Sequence, residues 1–411
     1  MTPDPGGNIQ LPKGAKIYLP DEAARKRWVE ARLLGVFTAW GYREIVPPSF
    51  EYFDVLSLGT DVELQEKMYK LVDRESGRLL ALRADVTPQI ARIVATRLRD
   101  EPRPIRLAYL TNVFRYDEPQ VGRYREFYQA GVELVGLERF QLDVGHAEFL
   151  RGLLDEIKGD RARARELQGA LSRKDASALA RLVGELAPAA HVGEALLALP
   201  ALVGRDDALA RAGRLVRNAR SERALENLSE VYRLVRIYGL ADSVILDLGE
   251  VRGFDYYSGV HFEAYVTGLG ASIAGGGRYD QMLGRFGYEC PATGFAFDVG
   301  RALLAMETQG VTVPLAGPEF FIIDFTAEKT AALSLSRRLR DLGASVARDI
   351  ITRGLEESIG YARALRARRV LVVGRPDIAP GHLRAIELGD GAARELPIAA
   401  VLEAPARYFD V

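Results

Sequence analysis

Residues Phe114–Glu133, FRYDEPQVGRYREFYQAGVE, carry side chains suited to holding a small polar molecule. Arg115 and Arg123 flank a short Pro-Gly turn, and the segment after it sets Gln129 and Glu133 four residues apart. Side chains two or four apart on a β-strand share a face, so Gln129, Gly131 and Glu133 line one surface, with glycine leaving space between two polar ends. A face that only packed would carry apolar residues there, so this one reads as a pocket floor. Asp85 and Thr87, in LRADVTP, stand where a strand meets a helix, a junction that holds polar groups firmly. In VRGFDYYSGVHFE, Arg252, Asp255, Tyr256 and Tyr257 cluster, and two adjacent tyrosines beside an arginine offer an aromatic wall and two hydroxyls. The alternative for that pair is one core ring and one surface ring. No Ser-His-Asp, HExxH or P-loop pattern appears, the four histidines are scattered, and AGGGRYD reads as a tight glycine turn.

The composition bounds what such a site can belong to. A chain of 411 residues with 48% hydrophobic content can bury a large core and is expected to hold two or three domains. A formal net charge of -1 provides no global attraction to nucleic acid or membrane. The single cysteine, Cys290, and the lack of CxxC or Cys/His clusters predict a reducing compartment, no metal and no cofactor. The start lacks the apolar core of a signal peptide and no run reaches membrane-spanning length, which predicts a cytoplasmic chain.

The elements that must position these residues follow from periodicity. An apolar stripe of Trp28, Leu33, Leu34, Phe37 and Trp40 predicts a helix over Pro20–Trp40, stopped by Gly41. YREIVPPSF predicts an edge strand ending at Pro47 and Pro48, and MYKLVD with RLLALRAD predicts a hairpin. Thr87 is the expected N-cap of the following helix, with Pro88 at its first position. Residues 158–240, rich in Ala, Leu, Arg and Glu, predict a helical insertion between two halves of a core, 1–157 and 241–313. PATGFAFDVGRALLA reads as strand into helix. Beyond Pro314 and Pro318, residues 317–411 alternate strand and helix as a small βαβ domain with a mostly parallel sheet.

In order along the chain, these segments resemble class II histidyl-tRNA synthetase. FRYDEPQVGRYREFYQAGVE resembles that family's motif 2, RGFDYYSG its histidine-specific signature, AGGGRYD its glycine-rich element and GFAFDVGR its motif 3. The resemblance implies an α/β (α+β) fold: a class II aminoacyl-tRNA synthetase-like antiparallel sheet flanked by helices, the helical insertion, and a C-terminal anticodon-binding-like domain. It further implies a histidine pocket of Asp85, Thr87, Arg115, Gln129, Glu133, Arg252, Tyr256 and Tyr257. Three departures bear on ATP. Aspartate stands at Asp85 and Asp117 where the family has glutamate, and motif 3 reads Asp298, Val299, Gly300, Arg301 in place of glycine, any residue, glutamate, arginine. An aspartate in place of that glycine brings bulk and negative charge toward a nucleotide, so Asp117, Arg123, Asp298 and Arg301 are expected to form a vestigial nucleotide site. The alternative is that Asp298 points into solvent.

LRADVTPQIAR, SRKDASALARLV and LDLGEVRGFDYYSGVHFEAY resemble the family of ATP phosphoribosyltransferase regulatory subunits, paralogues of the synthetase that lost aminoacylation. That resemblance implies a non-catalytic partner of a short catalytic subunit in the first step of histidine biosynthesis. It also implies histidine as feedback effector, and a homodimer within a hetero-octamer. The other reading is an active histidine-tRNA ligase. From Ala316 to Val411 the chain has 14 Lys plus Arg against 13 Asp plus Glu, so no tRNA contact is expected. Arg363, Arg366 and Arg369 read as the solvated face of a helix.

Overall fold

The structure, a computed structural model, describes residues 11–118, 124–137, 153–154, 161–250 and 257–410. They fall into two compact units, Met1–Thr312 and Val313–Val411. In the first, helix α1 (Pro20–Ala39) opens on a proline, and Glu22 turns back to accept the Leu19 N–H at 3.2 Å. It ends before Gly41, whose φ of 78° turns the chain into strand β1 (Arg43–Glu44). Phe37 is buried in the core as its spacing predicts, whereas Trp40 is exposed and meets Tyr238 of the insertion. Strands β2 (Phe50–Tyr52), β3 (Lys70–Val72) and β4 (Leu79–Leu82) form a small sheet, with β3 and β4 the expected hairpin. Helix α2 (Thr87–Arg97) follows.

Among the described residues the main sheet holds six strands. Beside β1 run β5 (Ile105–Phe114) and β6 (Glu126–Val135), then β9 (His261–Ala264), β10 (Ala274–Arg278) and β11 (Ala292–Asp298) in the order β1-β5-β6-β11-β10-β9. β1 is the edge strand expected, pairing parallel with β5, and the other pairs are antiparallel. Strand alternation divides the sheet between two cores. Ala130 and Val132 of β6 face α1 and the helix Val299–Thr308, with Val29, Phe37 and Val299. Tyr109 packs on the opposite face with Ile90 and Val94 of α2.

Helices Arg161–Ser172, Ala176–Leu186, Ala190–Ala198, Asp206–Leu215 and Ala219–Ile237 make the insertion. They close around their own leucine-rich core, which Leu153, Leu246 and Leu248 join from beyond the limits 158 and 240. A short antiparallel pair, β7 (Val203–Gly204) and β8 (Leu246–Asp247), ties the insertion to the returning chain.

The second unit has one five-stranded sheet. β12 (Phe320–Asp324), β13 (Val346–Arg348) and β14 (Arg369–Val373) are parallel, with helices Thr330–Asp341 and Leu355–Ala364 between them. β15 (His382–Glu387) and β16 (Ala393–Pro397) extend the sheet antiparallel. Arg369 departs from expectation. It opens β14 instead of facing solvent from a helix, and is buried against Glu387 and Asp410. Two carboxylates make burial of that guanidinium tolerable.

AGGGRYD also departs from its reading as a turn, because its glycines form β10 inside the sheet. The cause is crowding. A Cβ added at Gly276 would overlap the Gly294 carbonyl and Phe295, and one at Gly277 would lie 2.8 Å from Tyr257 Cδ1. The glycines thin the sheet where Tyr257 leans on it. Gly276→Ala is therefore expected to lower stability by about 1 to 3 kcal/mol, the usual cost of overpacking. Gly35→Ala in α1, where an added Cβ meets nothing within 4 Å, should be neutral or stabilise by up to about 1 kcal/mol. Urea denaturation of the two variants checks the contrast.

Candidate functional site

Register decides what surrounds the polar face of β6. Gln129 lies between Thr111 and Asp298, Gly131 between Tyr109 and Ala296, and Glu133 between Leu107 and Gly294. A cavity of about 410 Å³ opens above them. Asp85, Thr87, Arg115, Gln129, Tyr257, Asp298 and Arg301, all predicted from the sequence, line it. Glu133 lies beneath the lining. Asp117 stands beside it, 3.5 Å from Lys67, which lines the cavity. Arg123, Arg252, Asp255 and Tyr256 lie outside the described residues.

Glu133 is 1% exposed and surrounded by hydroxyls. Thr87 donates to its Oε1 at 2.7 Å, Tyr109 stands 3.5 Å from the same oxygen, and Tyr279 donates to Oε2. Glycine at 294 is required, because an added Cβ there would fall on the carboxylate. Burial pushes the Glu133 carboxyl up to about 8 against the pull of these donors, with nearby Asp85 adding to the rise. This arrangement explains why Thr87 is not the N-cap expected. The cap position falls on Val86, which makes no side-chain cap bond, and the Thr87 hydroxyl goes to Glu133. A buried carboxylate left short of donors costs more than a helix end that lacks a cap.

The upper part of the cavity is a set of paired charges. Asp85 accepts the Val86 N–H at 2.9 Å and a bond from Gln129, and Arg115 lies 4.0 Å away while donating to the Ala84 carbonyl at 2.7 Å. Burial raises the Asp85 pKa and Arg115 opposes the rise. Gln129 is 8% exposed and its Oε1 is buried with no donor among the described residues. Asp298 does not point into solvent. It caps the helix Val299–Thr308 by accepting the Arg301 N–H at 3.0 Å, and its carboxylate meets Arg301 Nε at 3.3 Å. Burial raises its pKa, with Arg301 opposing. Tyr257, its pKa also raised by burial, stacks on His261 at 5.4 Å.

Sequence reading missed Tyr109, Tyr279 and Arg83. Tyr109 could have been found as the cross-strand neighbour of Gly131, and Tyr279 sits inside AGGGRYD. Among the described residues Arg83, 2% exposed, meets only neutral acceptors: the carbonyls of Pro47, Pro48 and Asn112, the Asn112 side chain, and the hydroxyls of Thr111 and Ser49. It pins the Pro47–Pro48 segment to β5, two residues before Asp85.

The raised Glu133 pKa has a signed consequence for stability. Between about pH 4.5 and about pH 8 the folded chain holds a proton on Glu133 that the unfolded chain releases, so stability attributable to this group falls as pH rises through that window. Full linkage gives a slope of about 1.4 kcal/mol per pH unit. Glu133→Gln should remove this slope. Urea midpoints across the window are expected to move in favour of the variant as pH rises, and a pH-independent difference would contradict the assignment.

Comparison with known proteins places this geometry in a lineage. The histidyl-tRNA synthetase family pattern matches residues 14–140 and 134–302. An ATP phosphoribosyltransferase regulatory subunit from Syntrophotalea carbinolica is 39% identical over 95% of this chain and 96% of its own length. One from Geobacter sulfurreducens is 37% identical over 98% of this chain and 97% of its own. Among solved structures, an ATP phosphoribosyltransferase regulatory subunit/histidyl-tRNA synthetase from Bacillus halodurans superimposes with a TM-score of 0.77 at 27% identity, covering 90% of this chain and 99% of that one. Histidyl-tRNA synthetase from Nostoc has the same fold, with a TM-score of 0.77 at 20% identity over 98% of this chain and all of that one. With a synthetase-like sheet, a glycine-thinned site and relatives matched along almost their whole length, this chain belongs to the family of ATP phosphoribosyltransferase regulatory subunits.

Proposed function

We propose that this chain is a regulatory subunit without catalysis of its own. It binds and activates the catalytic subunit of a short-form ATP phosphoribosyltransferase, and it carries histidine feedback to the first step of histidine biosynthesis. Histidine occupies the cavity over β6, held by Asp85, Thr87, Arg115, Gln129 and Tyr257 together with Arg252 and Tyr256, with Glu133 beneath them as the part of the predicted histidine site that acts through its neighbours. The chain works in the cytoplasm as a homodimer within a hetero-octamer, and its nearly neutral C-terminal unit serves structure or subunit contact instead of tRNA.

The observation that carries this reading is the charge pairing of the cavity. Among the described lining residues, each cation already has a carboxylate: Lys67 has Glu63 at 2.6 Å, Arg115 has Asp85 at 4.0 Å and Arg301 has Asp298 at 3.3 Å. Such a lining suits a zwitterion, which brings one charge of each sign, and offers little to a triphosphate. Asp298 also takes the N-terminus of the helix Val299–Thr308, the kind of position that otherwise attracts phosphate. Asp117, Arg123, Asp298 and Arg301 are on this reading the remains of a nucleotide site.

Mixing the purified chain with a short-form ATP phosphoribosyltransferase is expected to raise turnover, and histidine to lower it again. The chain alone should give no histidine-driven exchange between ATP and pyrophosphate, and robust exchange would instead make it a ligase. Asp85→Asn removes a charged partner of the ligand's ammonium, a loss of about 1.5 to 3 kcal/mol, so calorimetric titration should show histidine binding weakened by roughly tenfold or more. Unchanged affinity would move the effector site elsewhere.

A further inference from the structure

Thr87 and Tyr279 line the cavity, and the hydroxyl of each donates to a different oxygen of Glu133. A hydroxyl has one hydrogen. While both hydrogens are directed at an ionised Glu133, the two hydroxyls can offer a bound molecule only their oxygen lone pairs. If Glu133 carries a proton, its own O–H must be donated to one of these neighbours, and that hydroxyl's hydrogen is released to turn elsewhere. The polarity of the cavity floor is thus set from below, by a group that the lining covers.

We infer that Glu133 is a positioning residue whose ionisation selects a ligand bearing N–H donors, and that histidine binding expels a proton from Glu133 to solvent. The inference rests on the histidine reading above. The bond broken is the carboxyl O–H of Glu133. The proton leaves through the open cavity to buffer, and the Thr87 and Tyr279 hydrogens then both point at the carboxylate while their lone pairs accept from the ligand.

The surroundings favour a proton on Glu133 before the ligand arrives. Burial and the neighbouring Asp85 push its carboxyl up to about 8, so at about pH 7 roughly nine molecules in ten hold the proton. The titratable groups facing it are Asp85 at the β4–α2 junction, Tyr109 of β5, Tyr257, Tyr279 after β10 and Tyr42 after α1, the last with Arg106 beyond it. β11 contributes only Gly294 at this point. Burial raises the pKa of Tyr42, Tyr109 and Tyr257 above the ordinary tyrosine value, so they stay neutral over the range concerned. Asp85 and Asp298, two carboxyls of the cavity lining whose pKa values burial also raises, could contribute a proton as well, so the test must separate them from Glu133.

Calorimetric titration of histidine in buffers of different ionisation enthalpy counts the protons released. At about pH 7 the wild-type chain is expected to release close to one proton per histidine bound, on the linkage relation. Glu133→Gln, unable to ionise, should release only the share that histidine's own imidazole contributes, and its affinity should lose the wild-type rise of up to about tenfold per pH unit below pH 8. Thr87→Val, similar in shape, keeps Glu133 but removes one hydroxyl of the relay, and its release should fall below that of wild type. Binding heat with no proton release in wild type, or equal release in wild type and Glu133→Gln, overturns the inference and leaves the histidine reading standing. No binding heat in wild type at any pH overturns the histidine reading and this inference with it. If Glu133→Gln does not fold, the wild-type count and the Thr87→Val count decide.

Discussion

A carboxylate on an inner strand of a sheet must find donors or give up its charge, and Glu133 sets that demand for this protein. Its neighbours on both sides answer it. Thr87 comes from the first turn of α2, Tyr109 from β5 and Tyr279 from the end of β10, while β11 supplies a glycine directly across from it. Four elements distant in sequence are fixed to one another through one side chain. The cavity exists because these elements meet there and because glycines leave the space above the carboxylate unfilled.

The same economy governs the charges nearer the opening. Lys67, Arg115 and Arg301 each meet a carboxylate, so the described lining carries mixed charge with little net attraction for a polyanion. Asp298 is the informative member of this set. The resemblance to histidyl-tRNA synthetase draws attention to it as an intrusion toward a nucleotide, and its carboxylate is found capping a helix and holding Arg301. A negative charge at a helix N-terminus is favourable in itself, so the substitution stabilises the local structure while making the place less hospitable to phosphate. This is how a synthetase-like sheet can persist with a different role.

Much of the fold was legible because it rests on short-range periodicity. The stripe through Leu33, Leu34 and Phe37 marks α1, the proline pair ends the edge strand, and the alternation of β6 separates Ala130 and Val132 from Gln129, Gly131 and Glu133. Misreadings arose wherever a partner distant in sequence outweighed a local preference. Thr87 has the residue type of a helix cap and serves a buried carboxylate. The glycines of AGGGRYD have the look of a turn and form a strand because neighbouring chains approach too closely for side chains. Arg369 has the look of a solvated arginine and is drawn inward by Glu387 and Asp410.

By itself, then, the sequence determined which residue types were available and which face of each element they would occupy, since periods of two and 3.6 residues are properties of the backbone. It marked the polar floor of β6 and the strand-to-helix junction at Asp85 and Thr87, and through its motifs it marked the lineage. Only the tertiary structure decided that Glu133 lies under the cavity instead of in it, that Asp298 closes on Arg301, and that Tyr109, Tyr279 and Arg83 share in building the site. Those outcomes depend on cross-strand register and on the cost of leaving a buried polar group unpaired, and both become definite only when distant segments are brought together.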